Sequence, residues 1–193
     1  MKHFDLSSPG ALRPFLILWS TQSLSTLGSS MTSFALVLWS YGDQGSALTT
    51  ALLSVCSYAP YVLVSIFAGA LSDRWDKKRT MLFCDTFAAL CTLVVLGLAT
   101  AGQLAVWHLY LLNALTGLMN TVQQPAADVA VTLLTPAQHY QRASGLRSLS
   151  YSLNSMLAPA LGSALYALLG LQAVILFDLA TFAVAFLSLL LLI

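Results

Sequence analysis

The sequence predicts an all-α integral membrane protein with six transmembrane helices. Apolar residue types make up 58% of the chain, only 8% of residues are charged, and the mean hydropathy is +0.81. A soluble domain of this size needs a more polar exterior than such a composition provides. The basic residues also lie in short segments between long apolar runs, which is typical of multi-pass membrane proteins.

Six apolar segments are long enough to cross the hydrocarbon core, which takes about 20 residues of helix. The predicted spans are residues 15–41, 48–71, 81–101, 104–124, 146–169 and 171–193. Short turns at 42–47, 102–103 and Gly170 join the spans in pairs, and connections this short predict that consecutive spans pack as antiparallel neighbours. Between spans four and five, Thr135-Pro136 predicts the N-cap and first residue of a further helical start.

The basic residues predict the orientation of the chain. All eight Lys and Arg fall on the same side of the predicted spans: Lys2, Arg13, Arg74, Lys77, Lys78, Arg79, Arg142 and Arg147. The positive-inside rule makes this side cytoplasmic, so both termini are predicted to lie in the cytoplasm and the chain in the cell (inner) membrane. A net charge of +1 predicts no affinity for nucleic acid.

Two internal similarities predict that the six spans form two three-helix repeats of inverted topology. The segment 82–88 in span three resembles 176–183 in span six, and Ala59-Pro60 in span two is matched by Ala158-Pro159 in span five. Inverted repeats of this kind occur in many secondary transporters. The alignment predicts that Asp85 and Asp178 lie near opposite faces of the membrane.

The connection between spans two and three carries a recognisable motif. Residues 69–79 read GALSDRWDKKR, which resembles the loop motif G-x-L-a-D-r-x-G-r-[RK] of the major facilitator superfamily. The resemblance implies a conformational latch formed by Gly69, Asp73, Arg74, Lys77 and Lys78. Asp76 replaces the second glycine of the motif, and we expect the turn to survive because Asp tolerates left-handed geometry. An ordinary basic loop is the alternative, but it leaves Gly69 and Asp73 unexplained.

Further segments narrow the resemblance to one type of transporter. Ala158, Pro159 and Gly162 resemble the core of the superfamily's antiporter motif, although a kinked membrane helix of no special function would also use these residue types. Gly117-Leu118 and the segments 124–126, 134–136, 142–146 and 177–182 are similar to drug:proton antiporters of the macrolide-efflux type. The arginine that many such antiporters carry in span four has no counterpart here.

This resemblance implies the N-terminal half of a twelve-helix transporter that exchanges amphipathic drugs such as macrolides for protons. The chain would then need the absent C-terminal half, or a second copy of itself, because one half cannot alternate access alone. Its other partners would be the lipid bilayer, a small amphipathic substrate and protons. The sequence ends within the last span, so a truncated chain is expected. The alternative function is a non-transporting six-helix scaffold that binds a partner.

Polar side chains recur at intervals of three or four along spans one and four, so each set forms a stripe on one helix face. They predict a neutral, hydrogen-bonding substrate cavity; contacts that merely hold the helices together are the other interpretation. The predicted cavity residues are Gln22, Thr26, Ser29, Asn113, Thr116, Asn120 and Asn154, with Ser33, Gln124, Ser155, Tyr58 and Tyr61 as further candidates.

Acidic residues inside predicted spans need a partner, because a charge in the hydrocarbon core is costly. Asp85 and Asp128 are predicted to form ion pairs with a basic residue of the cytoplasmic side, namely Arg74, Lys77, Arg142 or Arg147; a proton carrier is the alternative for Asp85. Asp178 has no obvious basic partner. It could titrate, cap a helix end or meet another chain.

The sequence predicts no enzyme. It contains no glutamate, its three histidines are scattered, and no serine, histidine and acid fall together on one segment. We therefore expect no catalytic residue, no cofactor and no metal site of His, Cys or carboxylate ligands.

Overall fold

The computed structural model describes residues 13–192, with side chains for 15–65, 75–133, 135–136 and 138–191. Within these residues the chain is almost entirely helical and contains no strand. The helices are α1 (Arg13–Gln44), α2 (Ala47–Arg74), α3 (Lys77–Thr100), α4 (Val106–Leu134) and α5 (Tyr140–Leu192), with a short 3-10 turn at Ala137–His139 before α5. Gly170 has non-helical angles and divides α5 into a first segment (140–169) and a second segment (171–192).

Three connections lie at one end of the bundle, and each contains a glycine with positive φ. These are Gly45 between α1 and α2, Gly102 between α3 and α4, and Gly170 within α5. Only glycine adopts such angles without strain, so it can stop a helix and reverse the chain in very few residues. We call this end the glycine end. The opposite end, where residues 75–79 and 135–147 lie, is the basic end.

Side chains at the starts of three helices satisfy backbone amides that would otherwise lack partners. The Ser46 hydroxyl accepts from the Thr49 amide at α2, and the His108 ring nitrogen Nδ1 accepts from the Ala105 amide at α4. Asp76 accepts from the amide of Arg79, 2.9 Å away, at α3. The expectation of a left-handed Asp76 is therefore wrong: its φ is −64°, because the residue serves as the N-cap of α3.

The most extensive helix contacts join α1 with α5 and α2 with α4. α2 and α4 are parallel, and so are α1 and the first segment of α5, since their contacting residue numbers rise together; the second segment of α5 runs antiparallel to α1. Close approach depends on glycine: a Cβ at Gly117 would lie 2.1 Å from the Ser57 carbonyl oxygen, and one at Gly162 would lie 3.0 Å from that of Met31. The predicted contact between consecutive spans is extensive for α3 with α4 and small for α1 with α2.

Two apolar clusters fill the bundle at different depths. One lies toward the glycine end and includes Met31, Leu53, Val95, Leu109 and Ile175. The second lies toward the basic end and consists of Phe15, Leu18, Met81, Ala126, Ala130, Ala143 and Leu189. The polar residues of α1 and α4 lie at the depths between them, so the centre of the bundle is the least apolar part of its interior.

The outer surface of the bundle is apolar. Large exposed side chains include Leu48, Val62, Leu63, Leu168 and Leu191, an arrangement that suits lipid rather than water. By length and composition, three of the described helices could cross a membrane, at Ala47–Ser65, Lys77–Thr100 and Tyr140–Leu191. α1 and α4 fall outside this group although each has about 30 residues. Their polar stripes lower the mean hydropathy, and these stripes face the interior.

The helices extend beyond several predicted spans at the basic end. α4 continues past residue 124 to Leu134 with Pro125 inside it, and Thr135 follows as its C-cap. The predicted N-cap role of Thr135 is wrong, because its buried hydroxyl makes no hydrogen bond to a described group. Hydropathy marks the segment that is soluble in lipid, but a helix continues as far as its backbone hydrogen bonds do.

Replacement of Gly117 by Ala should destabilise the bundle by about 1–3 kcal/mol, because the new methyl group would meet the Ser57 backbone, which cannot move aside without separating α2 from α4. Gly97→Ala is the matched control, since no atom lies within 4 Å of its Cβ position. Thermal unfolding in detergent, followed by circular dichroism, measures both. Equal unfolding temperatures for the two variants would contradict this account of the α2–α4 crossing.

Candidate functional site

A cavity of about 1030 Å³ lies among the helices at the depth between the two apolar clusters. All seven predicted cavity residues line it: Gln22, Thr26, Ser29, Asn113, Thr116, Asn120 and Asn154. The further candidates Ser33, Gln124, Ser155, Tyr58 and Tyr61 line it as well. The two stripes therefore face a common space, as their spacing predicts. Their role in binding a substrate remains a prediction.

The polar groups of the cavity differ in what they can offer a ligand. The hydroxyls of Thr26 and Thr116 donate to carbonyl groups of their own helices, so their donors are already in use. The Asn154 amide donates to Ser30 Oγ at 2.9 Å, while its buried carbonyl oxygen has no hydrogen-bond donor among the described groups. That oxygen is an acceptor available to a partner within the cavity wall.

Asp85 lies in the cavity wall, and its hydrogen-bond partners among the described residues are two amides. Gln123 Nε2 on α4 donates to its Oδ1 at 2.5 Å, and Gln22 Nε2 on α1 donates to its Oδ2 at 3.4 Å. The sequence alone could not predict these partners, because Gln22 and Gln123 lie on other helices, far from Asp85 along the chain. The described contacts of Asp85 do not include the predicted ion pair, and the side chain of Arg74, one of its predicted partners, lies outside the described residues.

An ion pair does form between Asp128 of α4 and Arg147 of α5. Both side chains are about half exposed at the basic end, so the pair is worth no more than about 1 kcal/mol. Arg147 was one of the predicted partners and also lines the cavity, whereas Arg142, another of them, is exposed and does not. The two arginines are five positions apart on α5, and the helix turns Arg147 toward α4.

Asp178 is buried where α1 crosses the second segment of α5. Ser29 Oγ donates to its Oδ1 at 2.8 Å, and a Cβ on Gly28 would lie 3.2 Å from the same oxygen. At 1.5 Å per residue, eight residues of helix separate Asp178 from Gly170 by about 12 Å. Asp85 lies eight residues from the start of α3 at the basic end, so the two carboxyl groups lie toward opposite ends of the bundle. Their partners Gln22 and Ser29 are separated by about 10 Å along α1. Their positions relative to the faces of a membrane stay a prediction.

The seam between α1 and α5 contains polar contacts that the sequence pattern did not reveal. The Trp19 indole nitrogen donates to the Leu146 carbonyl at 3.2 Å, and the hydroxyls of Ser23 and Ser150 lie 2.8 Å apart. Trp19 and Ser23 are four residues apart on α1, and so are Leu146 and Ser150 on α5. This matching spacing predicts contacts only when it is already known that the two helices pack together.

The two motifs are described in part. Nothing beyond the helical backbone is described for Gly69, Asp73 and Arg74. Lys78 donates to the Leu190 carbonyl at 3.1 Å, which joins the start of α3 to the end of α5, and Lys77 donates to the Trp75 carbonyl at 3.2 Å. In the second motif Ala158 is buried, Pro159 lines the cavity, and Gly162 packs on the backbone of Met31.

The charged side chains that line the cavity are Asp85, Asp178 and Arg147. Among the described residues, no three His, Cys, Asp or Glu side chains come together as a transition-metal site requires. A helical bundle with an apolar surface and a polar cavity at mid-depth has the architecture of a membrane transport protein.

The comparisons with known proteins agree with this class. The sequence matches the Major Facilitator Superfamily over residues 18–193, and the chain belongs to that family. Family membership makes it a multi-pass membrane protein of a transporter family rather than a member of an enzyme family. The prediction of the family from the loop motif is confirmed. No solved structure gives a significant match.

Several curated relatives are similar to the chain at low identity. Macrolide efflux protein A of Streptococcus pyogenes is 25% identical over 164 residues, which cover 85% of this chain and 40% of that protein. Macrolide efflux protein A of Enterococcus faecalis is 26% identical over 135 residues, covering 70% and 42%. YkuC of Bacillus subtilis, an uncharacterised MFS-type transporter, is 26% identical over 176 residues, covering 90% and 39%. The chain thus spans less than half the length of these relatives.

Gln123→Met should destabilise the protein by about 1–3 kcal/mol, because it removes the closer hydrogen bond to the Asp85 carboxyl group. Gln124→Met is the matched control on the next residue, which is exposed, and should change stability by less than about 0.5 kcal/mol. Unfolding in detergent by heat or by denaturant measures the difference. A larger loss of stability in Gln124→Met than in Gln123→Met would contradict this account of the Asp85 hydrogen bonds.

Proposed function

We propose that this chain is the N-terminal half of a secondary transporter that exports amphipathic drugs, such as macrolides, in exchange for protons. The observation that carries the proposal is the cavity between the polar stripes of α1 and α4 in a chain of this family. Its lining is mostly uncharged, with hydrogen-bonding side chains beside the aromatic rings of Tyr58 and Tyr61. A large amphipathic molecule needs such a mixture of apolar contact and a few fixed polar groups.

Within this proposal the six predicted spans form two inverted three-helix repeats, with Gly170 as the break between spans five and six. Two sets of contacts support the symmetry. Trp19 of α1 donates to a carbonyl near the start of span five, and Tyr110 of α4 donates to the Thr49 carbonyl near the start of α2. Asp85 of span three accepts from α4, and Asp178 of span six accepts from α1. Exchange of spans one, two and three with four, five and six converts each contact into its counterpart.

Asp85 is our candidate for the group that carries the coupling proton. It lines the cavity, and its hydrogen-bond partners Gln22 and Gln123 are neutral amides, which accommodate a carboxyl group in either protonation state better than a fixed cation would. An ion pair with Arg or Lys would instead hold the charge in place. Asp85 would then take part in proton coupling in a chain that lacks the span-four arginine of many drug:proton antiporters.

The loop motif and the antiporter-like motif would control access to the cavity. Lys78 ties the start of α3 to the end of α5, so a movement between these helices must break that contact. We assign Gly69, Asp73, Arg74, Lys77 and Lys78 to a latch that holds one access state. Gly162 lets the first segment of α5 pack closely on α1, with Ala158 and Pro159 beside the cavity.

The bundle would lie in the cell (inner) membrane with the basic end and both termini in the cytoplasm, and it would act with a C-terminal half or a second copy. Gln103→Cys at the glycine end should react with a membrane-impermeant maleimide in intact cells. Gln138→Cys at the basic end should react only after permeabilisation. Both glutamines are exposed. The unmodified chain, with Cys84 and Cys91 buried and Cys56 partly buried, gives the background. The reverse pattern of labelling would contradict the orientation.

Transport is tested in inverted vesicles that contain the chain in a complex verified by cross-linking. A fluorescent amphipathic drug should accumulate when a proton gradient is imposed and not without it. Asn120→Ala should lower the initial rate about fivefold at low drug concentration, because it removes one polar contact of the cavity. Gln141→Ala, on the exposed surface of α5, is the control and should leave the rate unchanged. An absence of gradient-driven flux in the assembled complex would favour the scaffold function instead.

A further inference from the structure

The crossing of α1 with the second segment of α5 gathers a carboxyl group and hydroxyl groups in the interior of the bundle. Asp178 is 4% exposed, and Ser29 Oγ lies 2.8 Å from its Oδ1. Thr32, one helical turn beyond Ser29 on α1, is 6% exposed, and its hydroxyl faces the same carboxyl group. The Thr181 hydroxyl, on the helix of Asp178, donates to the Asp178 carbonyl at 2.8 Å.

Two features of this cluster lack an explanation within the chain. The Thr32 hydroxyl makes no geometrically acceptable hydrogen bond to any described group, although it is buried. Asp178 takes part in no ion pair among the described side chains. A buried polar group without a partner indicates a missing ligand such as an ion or water, and a buried carboxylate needs a compensating positive charge.

We propose that Asp178, Ser29 and Thr32 form a binding site for Na⁺. The available ligands are the two carboxylate oxygens and two hydroxyl oxygens, and hard cations prefer a set made only of oxygen. A hydroxyl can turn a lone pair toward a cation, so Thr32 gains a partner when the ion binds. One carboxylate with neutral hydroxyls carries a single negative charge. A monovalent ion therefore leaves the site neutral in the interior of the bundle, whereas a divalent ion would not.

Asp85 has different neighbours. Gln22 and Gln123 direct their N–H groups at its carboxylate, so each amide would have to turn over before its carbonyl oxygen could face a cation. Around Asp178, Gly28 lets α1 pack closely on the second segment of α5, since a Cβ there would lie 2.4 Å from Thr181 Oγ1, and this close packing brings the Ser29 hydroxyl to the carboxyl group. Ser29 and Asp178 also line the cavity, so an ion from water can reach the site through it.

The inference goes beyond the proposed function and does not depend on it, because Na⁺ binding can be measured whether or not the chain transports a drug. The test uses the purified full chain in detergent at constant pH and ionic strength. Its unfolding temperature should rise saturably when NaCl replaces choline chloride, since a ligand that binds only the folded state stabilises it. Binding of radioactive Na⁺ to the same sample gives the affinity directly.

The variants separate the proposed ligands from other acidic and hydroxyl groups. Asp178→Asn should abolish the Na⁺ effect, and Thr32→Val should weaken the affinity about tenfold while Thr32→Ser retains it. Asp128→Asn, which removes an exposed carboxylate, should bind Na⁺ as the unmodified chain does. If Asp178→Asn fails to fold, the comparison of Thr32→Val with Thr32→Ser still decides the matter.

Three results would overturn the proposal. The first is equal stability of the folded chain in NaCl and choline chloride, with no radioactive Na⁺ retained. The second is Na⁺ binding that persists unchanged in both Asp178→Asn and Thr32→Val. The third is a chain stabilised by lower pH alone, at any Na⁺ concentration, which would show that a proton neutralises Asp178 instead. Loss of drug flux with Na⁺ binding intact would count against the proposed function and leave this site standing.

Discussion

The structure depends on one constraint: in hydrocarbon, a polar side chain must find its partners inside the protein. α1 and α4 carry the polar stripes, so these faces must turn inward while the apolar faces of all the helices meet lipid. The inward stripes cannot pack as tightly as the apolar clusters at either end, and a cavity of about 1030 Å³ lies between those clusters. The same constraint that orients the helices therefore creates the space in which a solute could bind.

The carboxyl groups of Asp85 and Asp178 meet this constraint in different ways. Asp85 is satisfied by amide donors from α1 and α4, and Asp178 by the Ser29 hydroxyl of α1. The Gln22 and Gln123 amides face Asp85 with their N–H groups, whereas a hydroxyl can turn either its proton or a lone pair toward a neighbour without moving its oxygen. Two aspartates at related positions of the proposed repeat thus acquire different binding properties from their neighbours. This difference is the basis for assigning a proton to one group and a metal cation to the other.

The sequence predicted the features that depend on composition and local spacing. Periodicity alone placed Gln22, Asn113 and Asn120 around one cavity, and the loop motif alone predicted the family. It did not predict contacts between distant segments, such as the partners of Asp85, because many pairings of six similar helices are compatible with one hydropathy pattern. It also misjudged Asp76, since the family pattern suggested a glycine-like turn where the chain uses a carboxylate cap.

The glycine crossings limit how such a bundle can move. Gly117 fixes α4 against α2, and Gly162 fixes α5 against α1, with backbone atoms in contact in both pairs. In the proposed repeat arrangement each pair joins one three-helix unit to the other. A rocking motion between the two units would have to separate both crossings at once, with the loss of close packing along two helix pairs. The contact between Lys78 and the Leu190 carbonyl joins the same two units, so the proposed latch adds to the glycine crossings in resisting that motion.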